Sequence, residues 1–317
     1  MKKDLISIKD LTSQEIEELF NLTVELKRNK AKFSKVLAGK TLALIFQKPS
    51  NRTRVSFEVG MYQLGGNSIY LSPGEINLGV RETIEDAAKT ISRYVDGIVL
   101  RTFEHKNCLD MAMASAVPVI NGLSDFSHPC QALADLFTIG EKFSRLNQAG
   151  QKVARRLKGL TLAYVGDGNN VCNSLLFAAA KTGMNIVVAT PDGYAPDPEV
   201  VKQSKEIAQE TQSQITITQD PLSAVNGAQI VYTDVWASMG QEEEISKRKI
   251  IFKNFQINAR LLTNAAPGVL VMHCLPAHRG EEITDDVMNS KNSIVFDQAE
   301  NRMHLQKAIL IKLLGKI

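Results

Sequence analysis

Residues 42–54 read Leu42-Ala43-Leu44-Ile45-Phe46-Gln47-Lys48-Pro49-Ser50-Asn51-Arg52-Thr53-Arg54. The unbroken apolar run at the start has the length and composition of a strand buried on both faces. Ser50 and Asn51 are N-cap residues, and the segment after them is expected to be a helix with Val55, Val59 and Tyr62 among its apolar positions. A strand that feeds a helix through a short polar loop is the unit of a parallel α/β sheet.

The same alternation recurs outward in both directions. Further strands are expected at 68–71, 97–100 and 117–121 in the first half, and at 160–165, 185–189, 215–218, 230–233, 269–273 and 294–296 in the second. Helical periods lie between them, as at 82–93, where Ile84, Ala87, Ala88 and Ile91 share a face, and at 173–182 and 197–210. Residues 131–156 divide the two series, opening helix-forming and turning highly charged from Glu141. The last segment, 299–314, has a helical period (Leu305, Ala308, Ile309, Leu313) and no strand to pair with. The expected fold is therefore α/β: two doubly wound parallel-sheet domains, 1–145 and 146–298, joined by a connecting helix, with a C-terminal helix 299–317 packing back on the first.

Composition narrows the function. With 317 residues, 44% of them hydrophobic, the chain is long enough for two cores. The 37 basic and 34 acidic side chains leave a net charge of +3, which gives no electrostatic footprint for nucleic acid. Its four cysteines, Cys108, Cys130, Cys172 and Cys274, fall at no metal-like spacing and suggest no disulfide framework. No apolar run approaches the roughly 18 residues of a membrane span, and residues 1–10 lack the apolar core of a signal peptide. A soluble, cytoplasmic protein is expected.

Candidate chemistry gathers at strand ends. The Ser50-Asn51-Arg52-Thr53 stretch opens a helix, where free N–H groups and the helix dipole favour an anion and Arg52 adds a planar fork suited to phosphate. A capped helix with a solvated basic turn is the plainer reading, but one Ser or Asn suffices for a cap. His128-Pro129-Cys130-Gln131 follows a strand, so His128 and Gln131 are placed to direct neutral donors at a carbonyl oxygen; taken alone, a capped turn is as good a reading. Arg101 ends another strand. Parallel strands deliver Arg52, Arg101 and His128 to one rim.

In the second half, Gly166-Asp167-Gly168-Asn169-Asn170 follows a strand. It is similar to a dinucleotide-binding turn without its third glycine, and Asp192 lies about where a ribose-binding acid belongs, so a nicotinamide enzyme is a rival on this motif. Asn169 and Asn170 suit a polar, zwitterionic ligand better. Asp234-Val235-Trp236 with Ser238-Met239-Gly240 offers an acid for a cationic amine and a loop of small residues. His273-Cys274-Leu275-Pro276 ends another strand, where a cysteine facing a site can share a proton with an amine.

Together these motifs resemble the aspartate/ornithine carbamoyltransferase family, most closely its ornithine-specific members. Ser50-Asn51-Arg52-Thr53-Arg54 is similar to the family's Ser-Thr-Arg-Thr-Arg loop, with Asn51 in place of the usual Thr; His-Pro-x-Gln, the Ser-Met-Gly loop and His-Cys-Leu-Pro follow in the family's order. The resemblance implies that the first domain binds carbamoyl phosphate and the second ornithine. Its phosphate would be held by Ser50, Asn51, Arg52 and Thr53; Arg101, His128 and Thr53 would polarise its carbonyl; and Gln131, Cys274, Leu275 and Arg302 would contact the carbamoyl group. L-ornithine would meet Asn170, Asp234, Ser238 and Met239, with Asp234 and Cys274 helping to remove a proton from its side-chain amine. The products would be citrulline and phosphate, in arginine metabolism. No metal or organic cofactor is implied. Members form trimers, and Asn77, in the loop 73–81, is expected to reach a neighbour's site. A carbamoyltransferase for another amine, such as putrescine or N-acetylornithine, is the alternative.

Overall fold

The computed structural model describes residues 3–144, 153, 157–237 and 244–315. Two compact units emerge: one holds the chain through Phe137 together with the chain from Glu300 onward, and the other holds most of the chain between. The first contains β1 (Thr41–Phe46), β2 (Asn67–Leu71), β3 (Gly97–Arg101) and β4 (Val119–Leu123). These form a parallel sheet in the order β2-β1-β3-β4. The inner strands β1 and β3 are buried nearly throughout, as their unbroken apolar runs require, whereas the edge strand β2 is only partly covered. The other edge is closed by Leu5, whose N–H donates to Val119 O at 2.9 Å and whose carbonyl accepts from Asn121 N at 2.8 Å.

The second unit contains β5 (Thr161–Val165), β6 (Asn185–Ala189), β7 (Ile215–Thr218), β8 (Ile230–Thr233) and β9 (Leu270–His273). Its sheet is also parallel, in the order β7-β6-β5-β8-β9. Ala163, Val165, Val231 and Val271 pack there with Trp236, Phe252, Phe255 and Ile257 in one buried cluster. Each sheet reverses its winding once, between β1 and β3 in the first and between β5 and β8 in the second. In open α/β sheets the crevice beyond the strand ends at such a reversal is where ligands bind. It lies beside Phe46 and Arg101, which pair in register, and beyond Val165 and Thr233.

Three local expectations are corrected. Residues 294–296 are not a strand: Ser293 makes a single bridge to Val271, and the helix Val295–Leu314 begins at once. The run misleads because Phe296 is 69% exposed, an apolar side chain on the outer face of a helix turn. In the helix Asn51–Gln63, Val55 and Tyr62 point outward; Thr53, Ser56, Phe57, Gly60 and Met61 form the buried face. The strand expected at 117–121 is shifted two residues, to β4 at 119–123. Among the described residues no helix is long and apolar enough to cross a membrane.

Candidate active site

In the first unit the helix Asn51–Gln63 starts where β1 ends. Ser50, in extended conformation, caps it, its Oγ accepting from Thr53 N–H at 3.2 Å. Asn51 is exposed and Arg52 half-buried. Arg54 is engaged elsewhere, stacked 3.8 Å over the Tyr70 ring and 3.0 Å from Glu58. Arg101 is the last residue of β3, beside a register shift against β4. His128 precedes the helix Pro129–Ser144, and its carbonyl accepts from Gln131 N at 3.1 Å and Ala132 N at 3.2 Å.

Arg302, on the helix Val295–Leu314, joins these pieces. Its Nη1 donates to Gln131 Oε1 and its Nη2 to Thr53 Oγ1 at 3.2 Å, while Gln131 Nε2 donates to Asp135 Oδ1 at 2.8 Å. Thr53, Arg101, His128, Gln131, Asp135 and Arg302 are all buried. Burial pushes His128 well below the usual histidine range, and the positive charges of Arg302, Arg101 and Arg52 push it further. The result is a neutral imidazole among three guanidiniums, which always carry their charge. Such a group can bond a carbonyl oxygen while the arginines hold an anion. Cys130 beside it is pushed up to about 12 by burial, so it is an inert thiol.

In the second unit the turn after β5 and the segments after β8 and β9 meet. Cys274 Sγ lies 2.8 Å from Asp234 Oδ1, which also accepts from Val235 N at 2.8 Å; Asn169 Nδ2 donates to Asp234 Oδ2 at 2.8 Å. Asn169 caps the helix Asn170–Thr182, its Oδ1 accepting from Val171 N and Cys172 N. Asn170 is the first residue of that helix and half-buried. Asp167 is pushed up to about 6, mainly by burial and in spite of Arg248, whose Nη1 lies 2.9 Å from Asp167 Oδ2. His273 and Glu282, both fully buried, are 3.0 Å apart, and His273 Nδ1 accepts from Leu275 N at 2.8 Å.

The glycine turn after β5 is filled by the chain itself. A Cβ on Gly168 would lie 2.2 Å from Pro196 N, and Gly168 N donates to Tyr194 O at 2.9 Å. Gly168 is therefore required by the backbone crossing over it. The N–H groups of Val171, Cys172 and Asn173 are already bonded to Asn169, so the donors that a pyrophosphate would take at this helix start are engaged, which weakens the nicotinamide reading.

Two clusters among the described residues have the side-chain types of metal ligands: Asp234, His273 and Cys274, and His278, Glu281 and Glu282. In the first, both His273 nitrogens are already bonded, to Leu275 N–H and Glu282. In the second, Glu281 pairs with Lys249 at 2.7 Å and Glu282 with His273. A metal would have to break these bonds.

Of the remaining expected residues, Asn77 is exposed in a left-handed conformation at the end of the short helix Pro73–Ile76. Leu275 also has positive φ, +60°. Ser238 and Met239 lie outside the described residues. Sequence reasoning missed Asp135, Arg248 and Glu282. Asp135 is one helical turn after Gln131 and Arg248 one turn after Glu244, so both carried a legible i,i+4 signal. Glu282 carried none, since a loop brings it back to His273.

Comparison with known proteins agrees along the chain. Residues 3–141 match the carbamoyl-P binding domain of aspartate/ornithine carbamoyltransferase, and residues 158–313 its Asp/Orn binding domain. The ornithine carbamoyltransferase of Thermococcus kodakarensis is 53% identical over 99% of this chain and 97% of its own length. An anabolic ornithine carbamoyltransferase of Pyrococcus furiosus is 50% identical, over 99% and 97%. The structure of ornithine carbamoyltransferase from that organism superposes with a TM-score of 0.92 over 99% of this chain and 97% of the other; that of the Thermus thermophilus enzyme gives 0.87 at 43% identity, over 99% and 100%. Each half of the chain is matched by its own domain model, and full-length relatives at about half identity agree, so the chain belongs to the aspartate/ornithine carbamoyltransferase family.

Proposed function

We propose that the chain transfers the carbamoyl group of carbamoyl phosphate to the side-chain amine of L-ornithine, giving L-citrulline and phosphate. One observation carries this reading: Arg52, Arg101 and Arg302 surround a His128 held neutral, with Gln131 and Thr53 bonded to the same Arg302. That combination suits a phosphate bearing a polar carbonyl. The relatives' shared name, ornithine carbamoyltransferase, supports the second substrate.

In this reading Ser50, Asn51, Arg52 and Thr53 hold the phosphate and Arg101, His128 and Thr53 polarise the carbonyl. Gln131, Cys274, Leu275 and Arg302 fix the carbamoyl group. Asn170, Asp234, Ser238 and Met239 bind the amino-acid end of ornithine. The amine must be neutral to attack. Asp234, bonded by Cys274 and Asn169, favours loss of its proton. Its nitrogen adds to the carbonyl carbon, the tetrahedral intermediate expels phosphate by breaking the C–O bond, and the phosphate takes up the proton lost by nitrogen. The reaction so written requires no metal and no organic cofactor. The enzyme works in arginine biosynthesis, in the cytoplasm, as a homotrimer or a multiple of one, with Asn77 entering the neighbouring subunit's site.

Offering ornithine, putrescine and N-acetylornithine separately with carbamoyl phosphate tests the acceptor. Ornithine is the expected substrate, because a site built to pair an α-carboxylate and α-amine rejects an analogue that lacks them. Efficient carbamoylation of putrescine would overturn the assignment.

A further inference from the structure

We propose that Glu282 and His273 are positioning residues that hold the Cys274-Leu275 turn so that the Cys274 thiol meets Asp234. The proposal rests on the carbamoyltransferase reading for its effect on turnover, though not for its geometry. His273 ends β9, where its N–H donates to Gln298 Oε1 at 3.1 Å, and its side chain is fully buried. The two ring nitrogens act in opposite senses. Leu275 N–H donates to Nδ1 at 2.8 Å, so Nδ1 is bare; the ring proton is therefore on Nε2, which donates to Glu282 Oε1 at 3.0 Å. The same carboxylate oxygen accepts from His278 N–H at 2.6 Å. Both ends of the loop between residues 274 and 278 are thus tied, one through the imidazole and one directly, to a single buried acid.

That tether has a use in this turn. Leu275 adopts φ +60°, a conformation a non-glycine residue keeps only when its surroundings hold it. The Nδ1 acceptor ties the Leu275 N–H, and with it the turn, to the His273 ring. Cys274 sits between His273 and Leu275, so its direction follows from theirs, and its Sγ lies 2.8 Å from Asp234 Oδ1. A fully buried carboxylate is an expensive way to fill a core position that an apolar residue could occupy. Orientation of the ring and the turn accounts for it. Glu282 acts through His273 and touches neither Cys274 nor Asp234 in the bonds described.

The test compares Glu282→Ala, which removes the acceptor, with Glu282→Gln, which keeps an oxygen in its place, in the full chain. Turnover with ornithine should fall about tenfold or more in Glu282→Ala and stay within about threefold of the parent in Glu282→Gln. The affinity for inorganic phosphate, held by the first unit, should stay within about twofold in both. Cys108, Cys130 and Cys172 are buried and Cys274 is partly exposed, so a small thiol reagent reads the turn without reference to catalysis. Its rate should change about threefold or more in Glu282→Ala and not in Glu282→Gln. In the parent, nitrogen NMR of labelled histidine should place the His273 proton on Nε2. A folded Glu282→Ala protein with the parent's turnover or the parent's thiol rate overturns the proposal, and so does a proton on Nδ1. If Glu282→Ala does not fold, the ring-proton position and the thiol rate of Glu282→Gln decide. A parent that carbamoylates no ornithine would refute the enzymatic reading, and the thiol and NMR results would still judge the tether.

Discussion

Asp234 Oδ1 stands 2.8 Å from the Cys274 thiol, while its other oxygen accepts from Asn169. Two residues from different strand ends thereby fix one carboxylate. Breaking a hydrogen bond to a charged group costs about 1.5–3 kcal/mol, or roughly 10- to 100-fold. Asp234→Asn should lower kcat/KM for ornithine by that amount or more and leave inorganic phosphate binding unchanged. An unaltered kcat/KM would remove Asp234 from the amine chemistry.

Arg52 is the half-buried arginine of the phosphate loop, whereas Arg54 is stacked on Tyr70. Arg52→Ala should weaken carbamoyl phosphate binding roughly tenfold or more, the worth of one charge-assisted contact. Arg54→Ala should change it far less. Calorimetric titration separates the two, and equal effects would mean that the loop binds the anion differently.

Asn51 is exposed at the first turn of its helix, and Ser50 supplies the cap. Asn51→Thr keeps the backbone donor and should leave turnover within about tenfold of the parent. Complete loss of activity would give the Asn51 amide a role of its own.

His128 is held neutral in the fold by burial and by three arginines. The unfolded chain takes up a proton there below about pH 6.5, and the folded chain does not. The stabilisation is therefore complete above that pH and is lost as pH falls, by up to about 1.4 kcal/mol per pH unit. His128→Gln should flatten this acid-side loss. Urea unfolding of parent and variant from pH 7 to pH 5 measures it; parallel losses would show that His128 protonates in the folded state.

Much of the fold was legible because parallel strands buried on both faces leave unbroken apolar runs, as at Leu42 to Phe46 and Ile98 to Leu100. The run at 294–296 failed for a physical reason: three apolar residues fit a strand or the first turn of a buried helix equally well, and the exposed Phe296 decides only in three dimensions. Arg52, Arg101 and His128 were legible as a group because strand ends deliver them to one sheet edge. The His273–Glu282 pair was not, because nothing in its spacing shows that the loop between them folds back. Asn169 as the partner of Asp234 likewise depends on how β5 and β8 lie side by side.

Carbon NMR of the reaction with carbonyl-labelled [13C]carbamoyl phosphate and L-ornithine tests the transfer itself. The label should appear in the ureido carbon of citrulline, with one phosphate released for each citrulline formed. Label that passes only to bicarbonate, at a rate indifferent to ornithine, would contradict carbamoyl transfer by this chain.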